Sequence, residues 1–245
     1  MPVILGGNTG INLASFPTGI VTSDLVLYLD AGNPTSYSGS GSTWMDISGY
    51  NNNATLINSP TFDSLNQGSI LFNGTTQRAT IADNVLFQNN TNMSISFWTN
   101  FSSIATGAYS IINKGKQEDK NIFWLWYQSA PGIQRLVWEV GSDLINNIQL
   151  FYNWVPVIGT WYNITCTFEP NLVKIYINAS LVASASTTTS SIPANSADVF
   201  SIASYRGGLA YFFSGKLNLG LFYRKTLSIT EIINNFNVTR NRYGV

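Results

Sequence analysis

The 245-residue chain has no histidine and a single cysteine, Cys166. Without histidine, neither a Ser-His-Asp nor a Cys-His nucleophile system can be assembled, and the commonest transition-metal ligand is missing. A zinc site would need several Cys or His ligands and has none to draw on. One cysteine permits no internal disulfide, so stability rests on packing. Charge is equally scarce: 10% of residues are Asp, Glu, Lys or Arg, against about 25% in an average soluble domain. Twelve basic and twelve acidic side chains cancel. That balance leaves no source of long-range attraction to nucleic acid or to an acidic membrane surface. No run approaches the roughly 20 apolar residues of a membrane helix. The N-terminus carries neither Lys nor Arg and is interrupted by Gly6, Gly7 and Gly10, so it does not read as a secretory signal.

What the chain does have is abundant Asn, Ser and Thr to hydrate its surface, and a period-two pattern broken by frequent turn signals, which points to an all-β sandwich or barrel. Residues 1–23 hold no charged side chain and no helical period. They are read as an extended N-terminal arm, with residues 24–245 as one globular body. The first strand is DLVLYLD (24–30), followed by a loop rich in Gly, Ser, Pro and Asn at 31–43. Alternation is clearest at 93–101, where Met93, Ile95, Phe97 and Phe101 share one face and Ser94, Ser96, Trp98 and Asn100 the other. Further strands are expected at 69–73, 77–81, 109–113, 121–128, 133–140, 147–152, 160–168, 171–178, 181–185, 198–203 and 216–224. Cys166 shares parity with Tyr162, Ile164 and Phe168, which makes it a small core residue rather than a reactive thiol. Asn178-Ala179-Ser180 reads as a hairpin turn in which Asn tolerates positive φ. One helix is expected: Ser228 and Glu231 have capping-box spacing, and Ile229, Ile232, Ile233 and Phe236 form an apolar face.

Three stretches together carry a family resemblance. GTWYNITCTFEPNLVKIYINASLVAS (159–184) matches a Gly-x-Trp strand followed by a Val-x-x-Tyr-x-Asn-Gly hairpin at Trp161, Val173, Tyr176 and Asn178, with Ala179 in place of the usual Gly. SISFWTNF with IINKG (94–115) and FSGKLNLGLFYRKTLSITEIINNFN (213–237) match the core strand and the closing strand with its final helix. These segments resemble the laminin-G-like domains of the concanavalin A-like lectin/glucanase superfamily, which implies an antiparallel β-sandwich of jelly-roll type with one short C-terminal helix. The opening, LVLYLDAGNPTSYSGSGSTWMDISGYNNNATLINSPTF (25–62), is similar to the version of this domain found in virion proteins of tailed bacteriophages.

The resemblance brings three chemistries into question. Glycoside hydrolysis needs two carboxylates across the sugar, which hydrolases of the superfamily present as Glu-x-Asp-x-x-Glu. No such run exists here: Glu139 and Asp143 flank Gly141, a turn signal, and Glu118-Asp119 reads as a solvated loop. Glycan binding would use aromatic rings, and Trp124, Trp126 and Trp138 are the candidates, although tryptophans of this kind also serve as core or subunit-contact residues. Calcium is common in the superfamily, and Asp30 and Asp46 flank the Gly-rich loop as candidate ligands. The favoured reading has Asp30 end a strand and Asp46 form an Asx-type turn with Ser48 and Gly49.

The resulting expectation is a non-enzymatic phage virion structural protein of capsid-decoration or head-fibre type, or tail-associated. It would be assembled in the host cytoplasm and displayed on the virion surface. Its partners would be other virion proteins, engaged through the arm, and surface glycans, with homo-oligomers compatible and no nucleic acid or membrane involved. The alternatives are a carbohydrate-binding module and, less favoured, a glycoside hydrolase.

Overall fold

A computed structural model describes residues 19–115, 122–141, 147–192 and 198–245. Among these residues the chain forms β1 (Leu25–Asp30), β2 (Thr43–Trp44), β3 (Ala54–Ile57), β4 (Thr61–Asp63), β5 (Ser69–Asn73), β6 (Arg78–Ile81), β7 (Met93–Phe101) and β8 (Gly107–Lys114). Then follow β9 (Ile122–Ala130), β10 (Ile133–Gly141), β11 (Asn147–Asn153), β12 (Trp161–Glu169), β13 (Leu172–Ile177), β14 (Ser180–Ser186), β15 (Phe200–Ile202), β16 (Ser214–Tyr223) and α1 (Ile229–Thr239). The expected strands are all present, with ends displaced by a residue or two. β2, β3 and β4 were not expected: they are too short for an alternating pattern to declare itself, and pairing with longer strands makes them.

Two antiparallel sheets of eight strands face each other. The first runs β14-β13-β12-β7-β16-β5-β4, with β1 also paired to β16; the second runs β11-β10-β9-β8-β15-β6-β3-β2. Their inner faces meet in one large core that includes Met93, Ile95, Phe97 and Phe101 of β7, Ile164, Cys166 and Phe168 of β12, and Phe123, Leu125 and Tyr127 of β9. This is the sorting expected for β7 and β12. Burial pushes the Cys166 thiol well above its ordinary pKa, as befits an inert core sulfur.

The outer face of the first sheet is closed by α1. Trp98 stacks on Phe236 at 5.7 Å and on Tyr243 at 3.9 Å, and its indole N–H donates to Thr239 Oγ1. Trp161, Tyr176, Leu219, Leu221 and Tyr223 complete a second apolar cluster beneath the helix. The capping box forms as expected: the Glu231 backbone N–H donates to Ser228 Oγ, and the Ser228 N–H donates to the Glu231 carboxylate. The buried face of the helix is rotated from the expected one. Ile229 is exposed, and Asn234 and Asn235 turn inward beside Ile232 and Phe236.

The reason for that rotation is polar. Asn235 accepts from the Val21 N–H and donates to Tyr223 Oη, and Asn234 donates to the Gly19 carbonyl. Residues 19–23, assigned to the arm by composition, therefore lie against the helix. Residues 1–18 of that arm are outside the described residues.

Candidate functional site

With α1 over one outer face, the outer face of the second sheet is where, among the described residues, side chains converge without a helix above them. Alternation along its strands brings Ser110 and Asn113 of β8, Trp124, Trp126 and Gln128 of β9, Arg135, Val137 and Glu139 of β10, and Gln149, Phe151 and Asn153 of β11 to this side. Trp126 pairs with Val137 and Ser110; Trp124 pairs with Glu139 and Asn113.

The aromatic residues form a stacked tier. Trp124 and Trp126 lie 4.7 Å apart with planes 18° from parallel; Tyr211 stacks on Trp124 at 5.6 Å, and Tyr205 meets it tilted by 37° at 4.6 Å. Both tyrosines come from the connection between β15 and β16, which folds back over the sheet. Ser110 anchors it, since its hydroxyl donates to the Ser204 carbonyl and accepts from the Trp124 indole, while its N–H donates to the Tyr211 carbonyl. The Arg206 N–H donates to Asn113 Oδ1 and the Gly207 N–H to Ser201 Oγ. Left-handed φ at Gly207 and Gly208 (68° and 107°) lets the chain turn back there. Under this connection Trp124 is 2% and Trp126 9% exposed, whereas Tyr211 remains 45% exposed. On the other side of Val137, Phe151 is 39% exposed and carries the Arg135 guanidinium at 3.8 Å from its ring centre.

Glu139 is the one carboxylate among the described residues of β8–β11. It is fully buried and accepts from the Gln149 side-chain amide at 2.8 Å. Among the described residues no group of three or more His, Cys, Asp or Glu is placed to hold a metal. Glu118, Asp119 and Asp143 lie outside the described residues. A shallow depression of about 670 Å³ opens between residues 104–106 and the β9–β10 turn, and no charged side chain lines it.

A family model for the concanavalin A-like lectin/glucanases superfamily, of laminin G type, matches residues 73–233. The chain belongs to this superfamily. Among solved structures, this concanavalin A-like domain is similar to the binding domain of Paraclostridial Mosquitocidal Protein 1 (TM-score 0.69, 18% identity, 87% of this chain and 52% of that one). It is also similar to the receptor-binding domain of botulinum neurotoxin type G (TM-score 0.66, 17% identity, 88% and 51%). A third likeness is domain 4 of AbnA, an extracellular arabinanase from Geobacillus stearothermophilus, solved in complex with arabinotriose (TM-score 0.64, 16% identity, 89% and 98%). The chain thus spans about half of the toxin domains and nearly all of the arabinanase domain, and at these identities the likeness is one of fold. No curated protein sequence matches.

Within the concanavalin A-like frame, the candidate glycan residues divide. Trp124 and Trp126 come together on the outer face. Trp138, opposite Leu125, has the other parity: it is fully buried between the sheets, where its indole N–H donates to the Thr167 carbonyl at 3.2 Å. It cannot join an outer-face site. The calcium candidates do not fit a cation either. Asp30 is 1% exposed and takes two hydrogen bonds from Arg242, at 2.8 and 2.9 Å, and one from the Gly32 N–H. Its charge is already compensated by that guanidinium. Asp46 accepts from the N–H groups of Tyr28, Ser48 and Asn52 and from the Ser48 hydroxyl. This is the Asx-type arrangement with its oxygens filled. Tyr205, Tyr211, Phe151 and Arg135 escaped the sequence reading. The tyrosines sit in a connection without period, and the significance of the other two depends on strand register.

Proposed function

We propose that the chain is a non-enzymatic binding module of a bacteriophage particle surface, and that it engages glycans through the outer face of its second sheet. The observation that carries the glycan reading is the tier of rings on the face that α1 leaves uncovered, with Tyr211 and Phe151 exposed at its margins. Trp124 and Trp126 support that tier from beneath; Tyr211 and Phe151 are the rings a pyranose could reach. The described carboxylates support binding without cleavage. Glycosidases set two of them about 5–9 Å apart across the sugar, and here Glu139 is the one carboxylate among the described residues of β8–β11 and accepts from Gln149. The arabinotriose complex of the arabinanase domain lends support to the glycan reading. The particle setting, on capsid or tail, rests on the likeness of residues 25–62 to phage virion domains.

A second reading, favoured by the burial of both tryptophans, makes this face a contact with another virion subunit. The two separate on a glycan array. Under the glycan reading the protein is retained, Tyr211→Ala and Phe151→Ala lose retention at unchanged melting temperature, and no reducing sugar is released from polysaccharides. Absence of retention for the unmodified protein would reject the glycan reading. Immunogold labelling of intact particles tests the virion setting; unlabelled particles would reject it.

A further inference from the structure

Most cations of the described chain face a carboxylate. Lys114, Lys174, Arg206, Lys216, Lys225 and Arg242 lie within 4.0 Å of Asp83, Glu169, Asp198, Asp63, Glu231 and Asp30 respectively. Arg135 differs. It is part-exposed, and no described carboxylate lies within 4.0 Å of it. Its Nε–H donates to Gln128 Oε1 at 2.7 Å, and its plane is held over Phe151 at 3.8 Å. Of its five N–H donors, one is thereby used. The terminal fork is left with its orientation set from two sides: Gln128 fixes the Nε edge and Phe151 the face.

An arginine held in this way has lost much of its rotamer freedom before any ligand arrives, so little is left to lose on binding. Its neighbours are suited to a sugar. Gln128 and Asn153 flank it on the adjacent strands, and Trp126 is its diagonal neighbour through the Val137 pair. Diagonal cross-strand positions lie roughly 7–8 Å apart. Glu139, further along β10 and hydrogen-bonded by Gln149, is the one carboxylate among the described residues of β8–β11.

We infer that Arg135 determines the specificity of this face, which takes a sugar bearing an oxyanion: a uronic or sialic carboxylate, or a sulfate ester. The inference rests on the proposal that this face binds glycans, and it adds the ligand's charge. The planar fork matches a two-oxygen acceptor bidentately, which a lysine ammonium cannot do.

The test uses the full chain and defined probes: oligogalacturonate against its methyl ester, sialyllactose against lactose, and a sulfated against an unsulfated galactose oligomer. The expected result is preference for at least one acidic member over its neutral partner. Arg135→Gln should weaken that binding roughly ten- to a hundredfold, the range for a hydrogen bond to a charged group, and leave neutral probes unaffected. Arg135→Lys should recover only part of it. The methyl-ester comparison and the loss of acidic binding on raising NaCl from 0.15 to 1 M require no variant, so they stand even if a substitution perturbs folding. Which pair responds tells carboxylate from sulfate. Equal binding of acidic and neutral partners, with dependence on Tyr211 retained, would overturn this inference and keep the glycan reading. Acidic preference that survives in a folded Arg135→Gln protein would also overturn it. Failure to bind any probe would overturn both.

Discussion

Asp30 ends β1 with its carboxylate enclosed, and Arg242, 212 residues later, supplies the two hydrogen bonds that compensate it. Removing one partner of a buried pair strands the other in low dielectric, which typically costs about 3–5 kcal/mol. We therefore expect Arg242→Ala to lower unfolding free energy by roughly that amount in urea denaturation, whereas Arg224→Ala, at an exposed residue with no carboxylate partner among the described residues, should change little. A shift below about 1 kcal/mol for Arg242→Ala would mean that water replaces the guanidinium. Asp30 was visible in the sequence as a strand-ending acid beside a Gly-rich loop. Its partner was not, because a contact across 212 positions leaves no local trace. Trp138 shows the same limit in another form: its type and strand were legible, but the face it takes depends on register with β9 and β11.

At the scale of elements, the β13–β14 hairpin turns through Asn178 and Ala179, with φ of 49° and 61°. Asn adopts this region readily; Ala does so against the steric opposition of its Cβ. Ala179→Gly should therefore raise stability by roughly 1 kcal/mol, read as a higher denaturation midpoint with an unchanged slope. The capping box of α1 offers a pH test. Partial burial pushes the Glu231 carboxyl up, but the hydrogen bonds from Lys225 and Ser228 outweigh it and hold the group below its ordinary value of 4.5. A depressed carboxylate contributes stability above its unfolded pKa and loses it as pH falls through the folded one. Glu231→Gln should thus be less stable than the parent at pH 7, and the gap should close below about pH 4. A gap independent of pH would show that the amide replaces the carboxylate without loss. The cap was readable from Ser228 and Glu231 alone. The facing of the helix was not, since it is set by Asn234 and Asn235 bonding to Gly19, Val21 and Tyr223.

At the scale of the whole molecule, the two outer faces are treated differently, and that asymmetry makes one of them a candidate site. Deleting residues 228–245 would uncover Trp98, Trp161, Leu219, Leu221 and Tyr223 together. We expect the truncated chain to bind a hydrophobic dye and to aggregate, as large exposed apolar patches do. A monomeric truncated protein that melts like the parent would show that α1 is an accessory rather than a lid. What the sequence by itself determined is the β-sandwich class, the family, the period-two sorting of β7 and β12 and the place of α1, because each is written in patterns a few residues long. Only the tertiary structure decided that Trp124 and Trp126 lie beneath the connection carrying Tyr205 and Tyr211, that Asp30 and Asp46 are filled by the chain's own donors, and that no described carboxylate pairs with Arg135. Those outcomes depend on which strands become neighbours and in what register, and pairing between distant segments is fixed by the packing of the whole core rather than by any segment alone.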